Sequence, residues 1–157
     1  MTIKWLSELG PEEQGRIITV GGKGEIRRRL LDMGVVSGAL VDVLRVAPLG
    51  DPIQIKVKGY DLALRKEEAK RIQVELTGSV LSRIASGETV IISSIRAGWG
   101  LQRRLADMGL TPGVEARVIS AGRPGQIVLE VRGSRLALGY GITSKITVKY
   151  KGSGEND

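Results

Sequence analysis

The side chains that most often carry chemistry are scarce in this sequence. It contains no histidine and no cysteine, so disulfides, thiolate or imidazole metal sites, and Ser–His or Cys–His catalytic sets are excluded. No pair of carboxylates stands in a recognisable catalytic context. We therefore expect a protein that is not an enzyme and that binds no cofactor.

Acidic side chains are the remaining class that could hold a metal ion. The only dense acidic group comprises four residues, Asp51, Asp61, Glu67 and Glu68. Carboxylates suit hard cations better than iron(II) or zinc. The neighbouring basic residues Lys66 and Lys70 place positive charge beside the group, which disfavours binding of a cation. We expect any transition-metal binding to be weak, and these four residues to be its first candidate ligands.

A basic motif occurs twice, 75 residues apart. Residues 28–34 read Arg-Arg-Leu-Leu-Asp-Met-Gly, and residues 103–109 read Arg-Arg-Leu-Ala-Asp-Met-Gly. One interpretation is structural: Leu30 and Met33 belong to the core, and Arg28 forms an i,i+4 ion pair with Asp32, as does Arg103 with Asp107. The other is functional: the arginines form a docking surface for an acidic partner. The candidate docking arginines are Arg27, Arg28, Arg29, Arg103 and Arg104.

The motif belongs to a longer repeat. Residues 58–64 return, loosely, as residues 132–138, and the repeated unit of about 75 residues is long enough to be a domain. The sequence predicts one domain over residues 1–76, a junction at residues 77–79 and a second domain over residues 79–150. Residues 151–157 contain no apolar side chain, so we expect a disordered tail.

Each unit shows strand-like segments around one helix. In the first unit, residues 15–20, 39–46, 53–58, 61–65 and 72–75 are predicted strands, and Lys66 to Lys70 form one helical turn. The helix starts at Glu25, places Ile26, Leu30 and Met33 on one face, and ends at Gly34 in a left-handed cap. A positive φ is expected at Gly59 and at its counterpart Gly133. Short strands in so small a unit favour a partly open barrel.

Net charge and hydropathy limit the partners and the cellular location that we expect for this protein. The net charge is +7, with +2 in residues 1–76 and +5 in residues 77–157. Such a surface suits nucleic acid, an anionic membrane face or an acidic protein, or serves solubility alone. No apolar run approaches the ~20 residues of a membrane span. The sequence predicts a cytoplasmic protein without direct membrane insertion.

Taken together, the order of these motifs resembles the FeoA family. The similarity runs through Leu-Ser-Glu-Leu at 6–9, the arginine motif, Ala-Pro-Leu-Gly-Asp-Pro-Ile at 47–53 and Gly-Tyr-Asp-Leu-Ala-Leu-Arg at 59–65. The second unit matches more loosely. The resemblance implies a mostly β fold of two tandem SH3-like small β-barrels, each with a short helix inserted after the first strand. It also implies an accessory protein of iron(II) uptake whose partner is the cytosolic part of the membrane ferrous-iron transporter FeoB.

Two further alternatives stay open at this point. Leu49 stands between Pro48 and Pro52, and it is either an exposed anchor for the partner or a residue that folds back onto its own barrel.

The family resemblance extends to the barrel of metal-dependent repressors of the DtxR type. The rival function is therefore a basic regulatory or nucleic-acid-binding module, but the sequence has no aromatic cluster for base stacking, so no nucleic acid is expected. Homo-oligomerisation is undecided.

Overall fold

The computed structural model describes residues 2–121 and 125–152. They separate into two compact units, the first ending at Thr77 and the second starting at Gly78. The strands of the first unit are β1 Ile3–Trp5, β2 Gln14–Val20, β3 Leu40–Val46, β4 Ile53–Val57, β5 Tyr60–Leu64 and the greater part of β6 Ile72–Val80. The later strands are β7 Thr89–Ile95, β8 Glu115–Ala121, β9 Ile127–Val131, β10 Ser134–Leu138 and β11 Ile146–Tyr150. The helices are α1 Gly24–Asp32, α2 Lys66–Ala69, α3 Trp99–Asp107 and α4 Tyr140–Thr143, with 3₁₀ turns at Leu6–Glu8 and Leu81–Arg83.

The first unit is a small barrel built on strand alternation. Its strand order is β6-β2-β3-β4-β5, and β1 pairs with β6. Along β4, Ile53, Ile55 and Val57 are buried, whereas Gln54 and Lys56 point away from the core. A period of two places one apolar face against the core, as the sequence predicts for this strand.

The second unit repeats the plan. Strands β11-β7-β8-β9-β10 follow one another as β6-β2-β3-β4-β5 do in the first unit, and the last residues of β6 pair with β11. The buried hydrophobic residues of its core are aliphatic and include Val90, Ile92, Leu105, Val118 and Leu129. The predicted fold, mostly β with two SH3-like barrels in tandem and a helix after the first long strand, is confirmed.

Both long helices end in the same backbone motif. Gly34 has a φ of 92°, its N–H donates to the carbonyl of Leu31 at 3.1 Å, and the N–H of Val35 donates to the carbonyl of Leu30 at 3.0 Å. These two bonds define a Schellman motif, in which glycine takes the left-handed position at no steric cost. Gly109 repeats the motif with a φ of 91°. The predicted left-handed cap is confirmed, and it directs the chain away from the helix.

The β4–β5 turn also matches its prediction. Gly59 has a φ of 81° and Gly133 a φ of 84°. The preceding residue of each turn is left-handed too, Lys58 at 52° and Arg132 at 51°. Two consecutive positive φ values make a type I′ turn, whose twist matches that of an antiparallel hairpin.

The structure differs from the sequence predictions within the first helix. Ile26 is exposed, and Leu30 is the α1 residue that the barrel buries. In the part of the chain that the structure describes, neither Arg28 nor Arg103 pairs with the aspartate four residues later. The apolar stripe is therefore shorter than its periodicity indicates, because only the C-terminal half of the helix lies on the core.

Residues 77–79, the predicted junction, lie inside β6, and the two compact units divide there, between Thr77 and Gly78. Two other boundaries differ from the prediction. Strand β1 is not predicted, since three residues give too short a pattern to read. Lys151, assigned to the disordered tail, donates its N–H to the carbonyl of Thr89 at 3.1 Å and pairs with Glu115 at 3.0 Å. The rest of that tail from residue 153 onward lies outside the described residues.

Candidate functional site

The loop between β3 and β4 holds an apolar side chain out in solvent. Leu49 is 88% exposed, so it does not fold back onto its own barrel. The N–H of Gly50 donates to the carbonyl of Ala47 at 2.7 Å, and the N–H of Ala47 donates to the carbonyl of Pro52 at 3.1 Å. Asp51 accepts the N–H of Lys66 at 3.3 Å, which fastens the loop to the start of α2. We call residues 47–52 the Leu49 loop.

Two of the three arginines of α1 are engaged within the first barrel. Arg27 donates its Nε–H to the carbonyl of Val20 at 3.1 Å, which ties the helix to the end of β2. Arg29 forms an ion pair with Glu68 of α2. Arg28 is exposed and, within the described residues, has no polar partner. Of the predicted docking arginines in this barrel, Arg28 alone keeps its whole charge available to a partner.

The second barrel treats the equivalent positions differently. Gln102 replaces Arg27 and donates from Nε2 to the carbonyl of Ile95 at 3.4 Å, so the same tie is made without a charge. Arg103 lies over the exposed ring of Trp99, 5.1 Å from its centroid, in a cation–π contact. Arg104 has no polar partner in the part of the chain that the structure describes. Arg27, one of the predicted docking arginines, thus holds α1 to the end of β2, and its counterpart in the second barrel is uncharged.

Glu68 explains why Arg29 has an ion-pair partner whereas Arg104 has none among the described residues. Its side chain is only 7% exposed; one oxygen accepts the N–H of Arg65 at 2.9 Å in a capping box, and the other contacts Arg29. Ile142 occupies the corresponding position of α4 and packs against the aliphatic core of the second barrel. One copy therefore has a buried carboxylate in an ion pair with a half-exposed arginine, where the other copy has an apolar contact.

The structure does not bring the four predicted metal ligands together. Asp51, Glu67 and Glu68 lie around α2, where Glu67 pairs with Lys70 at 3.4 Å. Asp61 lies in β5, directly opposite Lys56 of β4, and lines a separate groove. Among the described residues no group of three or more acidic side chains could hold a metal ion.

That groove is the feature that sequence reasoning missed. It lies in the first barrel between the end of α1 and the β4–β5 turn, and both Asp32 and Asp61 line it. The available signal was the alternation of β5, which places Tyr60 and Leu62 on the core side of the hairpin. The spacing of residues in the sequence does not show that other elements leave this part of the hairpin's core-facing side uncovered.

Over residues 2–121 and 125–152, the structure contains no helix long and apolar enough to cross a membrane.

Comparison with known proteins identifies the family of the chain. The FeoA domain model matches it twice, at residues 4–76 and 80–150. The Fe(2+) transport protein A/Fe(2+) transporter FeoB fusion protein of Porphyromonas gingivalis is 43% identical over 74 residues, which cover 47% of this chain and 9% of that protein. The chain thus corresponds to a small part of that relative's length.

One solved structure that covers nearly the whole chain agrees with this match. The solution structure of iron(II) transport protein A from Clostridium thermocellum covers 98% of this chain and 91% of its own, with 31% identity and a TM-score of 0.50. FeoA of Stenotrophomonas maltophilia, described as a prokaryotic SH3 domain protein, is 34% identical over 45% of this chain and 87% of its own, with a TM-score of 0.41. The chain belongs to the FeoA family, which is associated with ferrous-iron transport, and it carries two FeoA domains in tandem.

Proposed function

We propose that this protein is a cytoplasmic accessory of iron(II) uptake that binds the cytosolic domains of a FeoB transporter and modulates the transporter. The observation that carries the proposal is the fusion protein of Porphyromonas gingivalis, which combines Fe(2+) transport protein A with FeoB. Joining two modules in one chain raises their effective concentration, an advantage when the modules act on each other. Modulation then requires only that the accessory bind one transporter conformation more tightly than another. The proposed role is binding, without catalysis.

The Leu49 loop is the proposed anchor for the transporter. A solvent-exposed leucine in a loop held by two backbone hydrogen bonds and the Asp51 contact loses little conformational entropy when it is buried by a partner. Buried apolar anchors of this kind contribute a large share of the binding energy at protein interfaces. The equivalent loop of the second barrel includes Arg123, which lies outside the described residues.

The arginines that have no ion pair in the described residues indicate the charge that a complementary surface on the partner would carry. Arg28 and Arg104 have no polar partner in the described part of the chain, and Arg103 is occupied only by its contact with Trp99. Exposed cations steer association toward an acidic surface and add modestly to affinity. We therefore propose an acidic, partly apolar docking face on the transporter. The protein would reach the inner face of the membrane through this partner.

The test is binding between the purified chain and the cytosolic domain of a FeoB transporter, measured by co-elution and calorimetry. We expect Leu49→Ser to weaken binding by about 1–2 kcal/mol, or about 5–30-fold, because one anchor is lost. The matched control is Leu40→Ser. Leu40 is half-exposed at the far end of β3, and a strand of seven residues places it about 20 Å from the loop.

Three results would contradict the proposal. Absence of co-elution would contradict the proposed function itself. Equal binding by Leu49→Ser and the parent, or equal weakening by Leu49→Ser and Leu40→Ser, would move the docking site away from the Leu49 loop. Unfolding of the first barrel by Leu49→Ser would assign the leucine a structural role.

A further inference from the structure

An indole ring projects from the second barrel at the first residue of α3. Trp99 is 74% exposed, although tryptophan is largely buried on average in folded proteins. Arg103 lies one turn later in the helix, with its guanidinium carbon 5.1 Å from the centroid of the ring. This cation–π contact orients the ring but leaves most of it in solvent.

The residues on either side of Trp99 have no side chain. Chain neighbours apart, no described residue lies within 4 Å of the place that a Cβ would take at Gly98 or Gly100. Gly98 has a φ of −67°, which any residue adopts, and Gly100 lies inside the helix, where glycine is less stable than alanine. The backbone therefore requires glycine at neither position. Together the two glycines leave room for a flat surface to approach the backbone around the ring.

The first barrel has the opposite pattern at the equivalent positions. Gly24 replaces Trp99, and it is flanked by Lys23 and Glu25, so that side chains stand on both sides of a residue that has none. Both α1 and α3 nevertheless start at this position and span nine residues. The fold can therefore start the helix without the ring and without the flanking glycines.

Basic side chains lie close to the ring. Arg96 precedes Trp99 by three residues, so their Cα atoms are at most about 11 Å apart. The N–H of Arg96 donates to the carbonyl of Lys145 at 2.8 Å, which places Lys145 beside it. Arg96, Arg103 and Lys145 are all exposed. We call Arg96, Trp99, Arg103 and Lys145 the Trp99 patch.

The four acidic residues in the described part of the second barrel lie elsewhere. Glu115 and Glu130 are held in ion pairs by basic residues outside the patch. Asp107 ends α3, eight residues after Trp99, or about 12 Å along the helix axis. Glu88 precedes β7, at the end of the strand that is about 20 Å from the patch. Within its own barrel, the positive charge of the patch is therefore not balanced by a neighbouring carboxylate.

From these features we infer that the Trp99 patch binds the surface of a membrane that contains anionic phospholipids. The indole lies at the level of the headgroups, where an aromatic ring with a polar N–H is favoured. The three cations meet the lipid phosphates. This contact is peripheral and needs no spanning segment. It does not require the transporter, and it belongs to the second barrel, whereas the Leu49 loop belongs to the first.

The form of the patch favours lipid over other anionic partners. Single-stranded nucleic acid binds to series of aromatic rings on which successive bases stack, whereas the patch has one ring. An acidic protein would need a pocket for a ring that projects from its surroundings. A lipid surface has no fixed shape and accepts such a ring without a preformed pocket. Arg103 is also among the arginines proposed to face the transporter, so lipid binding has to be measured without the transporter.

The test is titration of the full chain with two kinds of vesicle, one of pure phosphatidylcholine and one in which a quarter of the lipid is phosphatidylglycerol. In a Trp5→Leu background, Trp99 is the only tryptophan, so the fluorescence reports the patch. We expect its emission to move to shorter wavelength with the anionic vesicles and to stay nearly unchanged with phosphatidylcholine. In a Trp99→Leu background, the emission of Trp5 should not move.

Variants of the patch are compared by co-sedimentation with the anionic vesicles. Trp99→Ala should bind at least about tenfold more weakly, because it loses the apolar part of the contact. Trp99→Tyr should keep most of the binding, since tyrosine is also favoured at the membrane interface. Arg96→Gln, Arg103→Gln and Lys145→Gln should each weaken binding about fivefold, the effect of one basic residue at an anionic surface. Added salt should weaken binding of the parent.

The matched control is Arg28→Gln, which makes the same change at the position of the first barrel that is equivalent to Arg103. It should bind vesicles as the parent does, and so should Leu49→Ser, which separates this patch from the proposed transporter anchor.

The inference would be overturned by absence of binding to the anionic vesicles, by equal binding to both kinds of vesicle, or by equal binding of Trp99→Ala and the parent. It would also be overturned if Trp99 emission moved with a single-stranded oligonucleotide but not with vesicles, which would assign the patch to nucleic acid. The same response to the cytosolic domain of a FeoB transporter, again without a response to vesicles, would assign the patch to the transporter.

Discussion

The ion pair between half-exposed Arg29 and buried Glu68 allows a quantitative test of how the two barrels differ. Glu68 is 7% exposed at its side chain and Arg29 is 58% exposed. Removing one partner of a fully buried pair costs about 3–5 kcal/mol, because the other charge stays buried without compensation. Here the exposed guanidinium lets solvent screen the pair, so we expect Arg29→Ala to cost the first barrel about 1–2 kcal/mol.

The second barrel provides the matched control. Arg104 occupies the equivalent position but has Ile142 where the first barrel has Glu68. Arg104→Ala should therefore change stability by no more than about 0.5 kcal/mol, as for an ordinary surface substitution. Glu68→Ala should cost about 1–3 kcal/mol, because it also removes the charge-assisted hydrogen bond from Arg65.

Tryptophan fluorescence can follow each barrel separately. The chain has two tryptophans, Trp5 in the first barrel and Trp99 in the second. Urea unfolding in a Trp99→Leu background reports the first barrel, and unfolding in a Trp5→Leu background reports the second. The difference in unfolding free energy between parent and variant is then assigned to one domain.

A double-mutant cycle decides whether loss of the ion pair is what destabilises the first barrel in Arg29→Ala. In a Glu68→Ile background, which copies the second barrel, Arg29→Ala should become nearly neutral, giving a coupling energy of about 1 kcal/mol. The reasoning is refuted if Arg29→Ala costs the same in both backgrounds. It is also refuted if Arg104→Ala destabilises its own barrel as much as Arg29→Ala does.

Three further predictions concern the turn, nucleic acid and metal. Gly59→Val should destabilise the first barrel by about 1–3 kcal/mol in urea unfolding, because valine is strained at a φ of 81°; an unchanged midpoint would count against this. The chain should show little binding to single- or double-stranded nucleic acid near physiological salt in filter binding, since charge alone is screened there; micromolar affinity with a steep salt slope would favour the rival function. Iron(II) and zinc in modest excess should not raise the melting temperature, because three of the four candidate carboxylates already have partners; a saturable single-site isotherm at low micromolar concentration would contradict that.

Much of the fold could be predicted from local sequence features. The alternation in residues 53–58 is enough to predict a half-buried strand, because side chains of a strand point to opposite faces at every step. Gly34 and Gly59 mark positions where only a residue without a Cβ adopts a positive φ freely. The repeat of these signals indicates two domains. Each of these inferences depends on contacts between residues close together in the chain.

The tertiary structure alone decided which side chains are engaged and which remain exposed. Arg29 was predicted as a docking residue, yet it pairs with Glu68, 39 positions later in the chain. Leu49 could have been buried or exposed, and the hydrogen bonds of its loop hold it in solvent. Tyr60 lies on a core-side face that α1 ends too early to cover. Periodicity specifies the face on which a side chain lies, but only the packing of distant segments determines whether anything covers that face.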